Sequence, residues 1–125
     1  MRYHMLTAEI IQESARKARQ LGHSYVGSGH ILLAMTVSPG SAGRLLQGAG
    51  VDPEVLRSML TVLYGVGSTD MPLHQSFSGA VRRILRCAAE EAKNHRQSSV
   101  HSLHLLAAIL RTENTAAAQM LLLCG

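Results

Sequence analysis

Residues 22–35 (Gly-His-Ser-Tyr-Val-Gly-Ser-Gly-His-Ile-Leu-Leu-Ala-Met) come back in outline at residues 96–109 (Arg-Gln-Ser-Ser-Val-His-Ser-Leu-His-Leu-Leu-Ala-Ala-Ile), 74 positions later. Slid against itself at that offset, the chain is identical at nine positions between 3 and 35 (10, 15, 18, 24, 26, 28, 30, 32 and 34), where chance gives roughly two. Tyr3 falls on Phe77, aromatic on aromatic. At an offset of 75, Ala42, Leu45, Leu46 and Gly50 fall on Ala117, Met120, Leu121 and Gly125. One residue has therefore been added in the loop before that segment, where insertions cost little. A chain built of two copies of one unit must fold into near-equivalent halves.

The period inside each copy is helical. Leu6, Ile10, Ile11, Ala15, Ala18 and Leu21 recur at steps of three and four with charged residues between them, which predicts an amphipathic helix from Met5 to about Leu21. Gly22 stands where a left-handed C-terminal cap is needed. After a short extended stretch, Ser28 is expected to cap a helix through His30 to about Thr36, and Ser102 to cap its counterpart to about Leu110. Ser38-Pro39-Gly40-Ser41 is a turn, followed by a helix from Ala42 to Ala49. Asp52-Pro53-Glu54 opens another, with Leu56, Met59, Leu60 and Leu63 on one face.

Residues 65–76 hold Gly, Ser and Pro without a sustained period and read as the connection between copies. The second copy starts at Phe77, with Ser78 capping a helix to about His95, and ends on a helix from Ala116 to Leu123. Copy one has four helices and copy two has three. A face such as Leu56-Met59-Leu60-Leu63 contributes on the order of 6–12 kcal/mol of gross apolar burial, so a copy without its counterpart should leave part of its core open. With the chain ending on Leu-Leu-Leu-Cys-Gly, the sequence reads as a piece of a longer polypeptide cut inside the second copy.

Charge narrows the function classes. The net charge is +4, but each half carries six Lys or Arg against four Asp or Glu, so neither is a basic arm. One Phe, three Tyr and no Trp provide no stacking platform for single strands. No apolar run reaches 18 residues, and Met1-Arg2-Tyr3-His4 does not open like a signal peptide, which predicts a cytoplasmic protein with no membrane partner. Cys87 and Cys124 are read as reduced thiols, Cys87 near the core. The only lysines, Lys17 and Lys93, follow no glycine-rich turn, so there is no phosphate loop. His30 and His104 lack a nucleophile or carboxylate at helical spacing and are read as packed residues fixing a helix start. His95, His101 and His104 are not read as a metal site.

An aromatic leading into an Ala-rich helix, then Gly-His-x-Tyr-Val-Gly-Ser-x-His-Ile-Leu-Leu, then a helix ending in Leu-x-x-x-Gly-Val-Asp, resembles the Clp N-terminal repeat of ClpC- and ClpA-type AAA+ unfoldases. The resemblance covers nearly the whole chain. It implies an all-α domain over residues 1–125: two four-helix repeats related by a pseudo-twofold axis (about 3–64 and 77–125), the second lacking its last helix. It implies a substrate- and adaptor-binding domain, not an enzyme by itself and without cofactor, serving a parent hexamer and its peptidase. A free-standing repeat protein modulating a Clp protease is the alternative, and a small helical DNA-binding regulator a weaker one.

In the ClpC branch the resemblance also implies a phosphoarginine pocket in each repeat, made by the hydroxyl after the leading aromatic and the carboxylate before the motif histidine. The matching positions are His4 and Gly29, and Ser78 and Leu103; neither copy carries the carboxylate. The remaining implied surface lies near the start of the fifth helix. Its residues are Phe77, Ser78, Arg82 and Arg86, with Tyr3 as the mate of Phe77: an aromatic anchor beside two cations, suited to an acidic or aromatic partner segment. The same residues also read as a hydrophobic staple and an ordinary solvated face.

Overall fold

The computed structural model describes residues 2–23, 25–64, 76–112 and 115–124. The first copy holds β1 (Arg2–Tyr3), α1 (Met5–Gln20), β2 (Tyr25–Val26), α2 (Ser28–Val37), α3 (Ser41–Gly48) and α4 (Pro53–Tyr64). The second holds β3 (Ser76–Phe77), α5 (Gly79–Asn94), β4 (Ser99–Val100), α6 (Ser102–Arg111) and α7 (Ala116–Cys124). Each strand, α5 and α6 begin 74 residues after their mates, and α7 begins 75 after α3, as the two offsets in the sequence require. Of the expected connection 65–76, Ser76 opens β3 and the rest lies outside the described residues.

The copies are joined by exchange. β1 of copy one runs parallel to β4 of copy two, with Tyr3 opposite Val100, and β2 of copy one runs parallel to β3, with Val26 opposite Phe77. The backbone N–H of His4 donates to Val100 O and that of Ser78 to Val26 O, both at 2.9 Å. The two seams are one arrangement repeated by a pseudo-twofold axis. Parallel strands of two residues are too short to stand alone, so each seam holds only because the helices behind it are packed.

Between the seams the helices bury one core. α2 is apolar on every side and is buried from Ser28 to Thr36, as befits a central helix; α1, α3, α4 and α7 surround it. Leu56 and Leu60 of α4 are wholly buried. Among the described residues copy two has no counterpart of α4, and there the face stays open, as expected. Leu103 is 47% exposed, and Leu110, 65% exposed, and Leu122, 81% exposed, line an apolar cleft of about 530 Å³ with Leu45, Leu46, Leu106 and Leu121.

The expected serine caps are corrected. Ser28 and Ser102 are the first residues inside α2 and α6, and the N-caps are Gly27 and His101. The motif histidine closes the turn instead: Gly27 N–H donates to His30 Nδ1 at 2.9 Å, and His101 N–H to His104 Nδ1 at 3.0 Å. This is the reciprocal half of a capping box, with imidazole in the place of a carboxylate. Ser28 Oγ works across the copies, accepting from Ala117 N–H at the start of α7 at 3.0 Å. Ser78 does cap α5, accepting from Val81 N–H at 3.2 Å.

Candidate functional site

The implied docking residues do not all meet. Phe77 packs partly buried against the core behind its seam, and Ser78 is occupied by its cap. Tyr3 lies in the other seam and is 40% exposed. Arg82 and Arg86, one turn apart on α5, do come together. With Arg83 they line an open cleft of about 820 Å³ floored by Gly79, Ala80 and Leu85. All three arginines are exposed, and none forms an ion pair among the described residues. Arg83 went unremarked in the sequence. It would have shown on the duplication, because the mates of residues 82, 83 and 86 in copy one are Ala8, Glu9 and Gln12. The basic face belongs to copy two alone.

Two further clefts are mates of each other. One, of about 560 Å³, is lined by Gly22, His23, Tyr25 and residues 27–30 together with Ser78, Ala80 and the start of α7. The other, of about 440 Å³, is lined by Gln97 and residues 101–104 together with His4, Leu6 and the start of α3. The positions that the resemblance pairs within a copy, His4 with Gly29 and Ser78 with Leu103, do not share a cleft; because the copies exchange strands, the fold brings Ser78 to Gly29 and His4 to Leu103 instead. Among the described residues no Asp or Glu lines either cleft, so none of them offers a guanidinium a planar acceptor there. A side chain at position 29 is also obstructed: a Cβ there would stand 2.6 Å from Leu60 Cδ2 and 3.0 Å from Met120 Sδ.

The imidazoles are structural groups tuned by burial. His30 is 3% exposed, and His23 Nδ1 lies 2.7 Å from His30 Nε2. Burial, and then the neighbouring His23, hold His30 down to a pKa of about 4, so it is neutral and can accept from Gly27. His104 is lowered too, by burial and then by His101 and His95. Glu91 is 5% exposed and is held by Arg111, with His95 Nε2 at 3.6 Å. Among the described residues no group of three or more His, Cys, Asp or Glu is placed to hold a metal ion, and no helix is long and apolar enough to cross a membrane. Burial raises the Cys87 thiol above its ordinary value, with Glu91 and Glu90 adding to the effect, which leaves it a poor nucleophile at neutral pH.

The sequence matches the Clp repeat (R) N-terminal domain family over residues 3–123. It is 31% identical over 114 residues to a chloroplastic chaperone protein ClpC2 of Arabidopsis thaliana, covering 90% of this chain and 12% of that protein. A chloroplastic ATP-dependent Clp protease ATP-binding subunit ClpA homolog of Brassica napus is 30% identical, covering 90% and 13%. The chain therefore spans about an eighth of the length of these relatives. In fold it resembles the N-terminal domain of the caseinolytic protease associated chaperone ClpD of Arabidopsis thaliana, with a TM-score of 0.81, 19% identity and coverage of 96% of this chain and 84% of that one. It also resembles the Hsp104 N-terminal domain of Candida albicans, with a TM-score of 0.76, 16% identity and coverage of 100% and 83%. The duplicated sequence, the reciprocal seams and the family match agree, and the chain belongs to the Clp repeat N-terminal domain family.

Proposed function

We propose that this domain docks substrates and adaptors for a ClpC- or ClpA-type ATP-dependent Clp protease ATP-binding subunit. It catalyses nothing itself; the ATPase modules and the peptidase belong to the rest of the machine, and the setting is the cytoplasm. The observation that carries the reading is the solvent-facing trio Arg82, Arg83 and Arg86, without ion pairs among the described residues and without counterpart in copy one. Such a face suits an acidic segment of a partner protein: arginine forks match carboxylates in pairs, and clustered charge accelerates encounter.

The test is a transplant. The chain replaces the N-terminal domain of a ClpC-type unfoldase, and ATP-dependent degradation of an adaptor-delivered substrate is measured. Delivery should be supported by the transplant and fall at least about tenfold with Arg82→Glu/Arg86→Glu, in line with the loss of two charge-assisted contacts. The helical circular dichroism should be unchanged. Delivery indifferent to the double variant would remove α5 as the docking face.

A further inference from the structure

Two apolar surfaces of this chain adjoin at the end of α7. α4 carries two stripes: Leu56 and Leu60 are wholly buried, while Val55, Met59 and Val62, at i, i+4 and i+7, line its outer side. Val62 is 84% exposed. With Leu63 and Leu123 these residues border a shallow cleft of about 420 Å³, whose charged member among the described residues, Glu54, pairs with Arg57 at 3.9 Å. Leu122, next in the chain to Leu123, lines the cleft between α3, α6 and α7, where none of the described lining residues is charged.

The duplication shows that this exposure is not a habit of the unit. In copy one Gln47 Nε2 of α3 donates to Thr36 O of α2 at 2.7 Å, closing the corner between the two helices. The mates of Gln47 and Thr36 are Leu122 and Leu110, so copy two presents two exposed leucines where copy one makes a hydrogen bond. Leu45, Leu110, Leu122, Leu123, Val55, Val62 and Leu63 are between 43% and 84% exposed. Together they show on the order of 800 Å² of apolar surface, the area each partner contributes to a stable dimer of standard size, where the largest patch of a typical monomer is about 300–600 Å².

We propose that two copies of this chain associate as a twofold dimer, the outer stripe of α4 in each lying in the α3–α6–α7 cleft of the other, with the end of α7 near the axis. The two surfaces complement each other: a helix with apolar anchors at i, i+4 and i+7 is what an uncharged groove between helices receives. Because one chain carries both and they adjoin, a single twofold operation satisfies both at once. A partner of opposite charge would find nothing to read in the cleft. This does not rest on the α5 docking face, whose arginines line neither surface.

The experiment is sedimentation equilibrium of the whole chain at concentrations up to about 100 μM, which spans the weak end of affinities for interfaces of this area. A reversible monomer–dimer equilibrium is expected. Val62→Glu and Leu122→Lys, both at exposed positions, should each weaken it at least about tenfold with the helical circular dichroism unchanged. Mixing the two variants should restore association, because one stripe–cleft contact is then unaltered and the other sets Glu against Lys. Arg82→Glu/Arg86→Glu should leave the equilibrium where it was, which separates this dimer from the docking face. A chain that stays monomeric throughout, leaving these surfaces to a partner protein, would overturn the proposal. So would a mass that climbs past two copies, an equilibrium indifferent to either variant, or no recovery on mixing.

Discussion

Single residues do work here that their type does not announce. His30 is held near pKa 4 by burial and by His23, against about 6.5 for an ordinary imidazole. Between those values the unfolded chain binds the extra proton and the folded one does not, so stability is complete above about pH 6.5 and is lost as pH falls toward 4. The full difference is on the order of 3 kcal/mol, and His104, lowered in the same direction, adds to it. Urea unfolding at pH 7 and pH 5 should show the loss. His30→Asn, which keeps an acceptor for Gly27 N–H, should flatten it; an unchanged slope in that variant would place the effect elsewhere. Gly22 has φ 72° and its mate Arg96 has φ 57°. Both sit in the same C-terminal cap, in which His23 N–H reaches Ala18 O and Gln97 N–H reaches Ala92 O. Copy two thus keeps a left-handed turn with a residue that resists it, and Arg96→Gly should raise stability by about 0.5–1 kcal/mol in thermal or urea unfolding.

At the scale of elements, α4 separates the copies. Leu60 of α4 lies over Gly29 of α2, where even a methyl group would collide with it, while the mated position on α6 carries Leu103, half exposed. Leu60→Ala should cost about 2–5 kcal/mol and Gly29→Ala about 1–3 kcal/mol. Because the two side chains claim the same space, the double variant should cost measurably less than the sum; strict additivity in denaturant unfolding would contradict the contact. Leu103→Ala, by contrast, should cost under about 1 kcal/mol, as a partly exposed substitution does. The helices themselves were legible, since amphipathic spacing, Gly22 and Asp52-Pro53 mark them to within a residue or two. Ser28 was misassigned because its acceptor role is satisfied by Ala117 N–H, 89 residues away. Local sequence offers the near cap and is silent about the distant one.

For the whole molecule, reciprocal exchange makes the halves interdependent. β2 finds its partner in Phe77 and β1 its partner in Val100, and Ser28 of copy one caps α7 of copy two. Residues 1–64 and 65–125 prepared as separate chains should each lose most helical circular dichroism, and mixing them should restore it. A first copy that folds alone and cooperatively would show the seams to be ornaments of two independent units. The same exchange builds the clefts: Ser78 reaches the loop of copy one, and His4 that of copy two. The candidate site residues named by resemblance were therefore sorted by the fold. Arg82 and Arg86 share a face with the unforeseen Arg83, Ser78 turns to a cleft on the seam, and Tyr3 lies at the opposite seam.

What the sequence by itself determined was the unit, its duplication and its helices. Those depend on spacing at three and four residues and on repetition at 74, both of which are properties of order along the chain. The tertiary structure alone decided that the strands trade partners between copies, that the motif histidines and not the serines close their helix starts, and that Arg44 joins His4 and His101. The physical reason is the same in each case: these outcomes turn on which hydrogen-bonding group or charge stands opposite in space, and residues tens of positions apart acquire that relation only when the core packs.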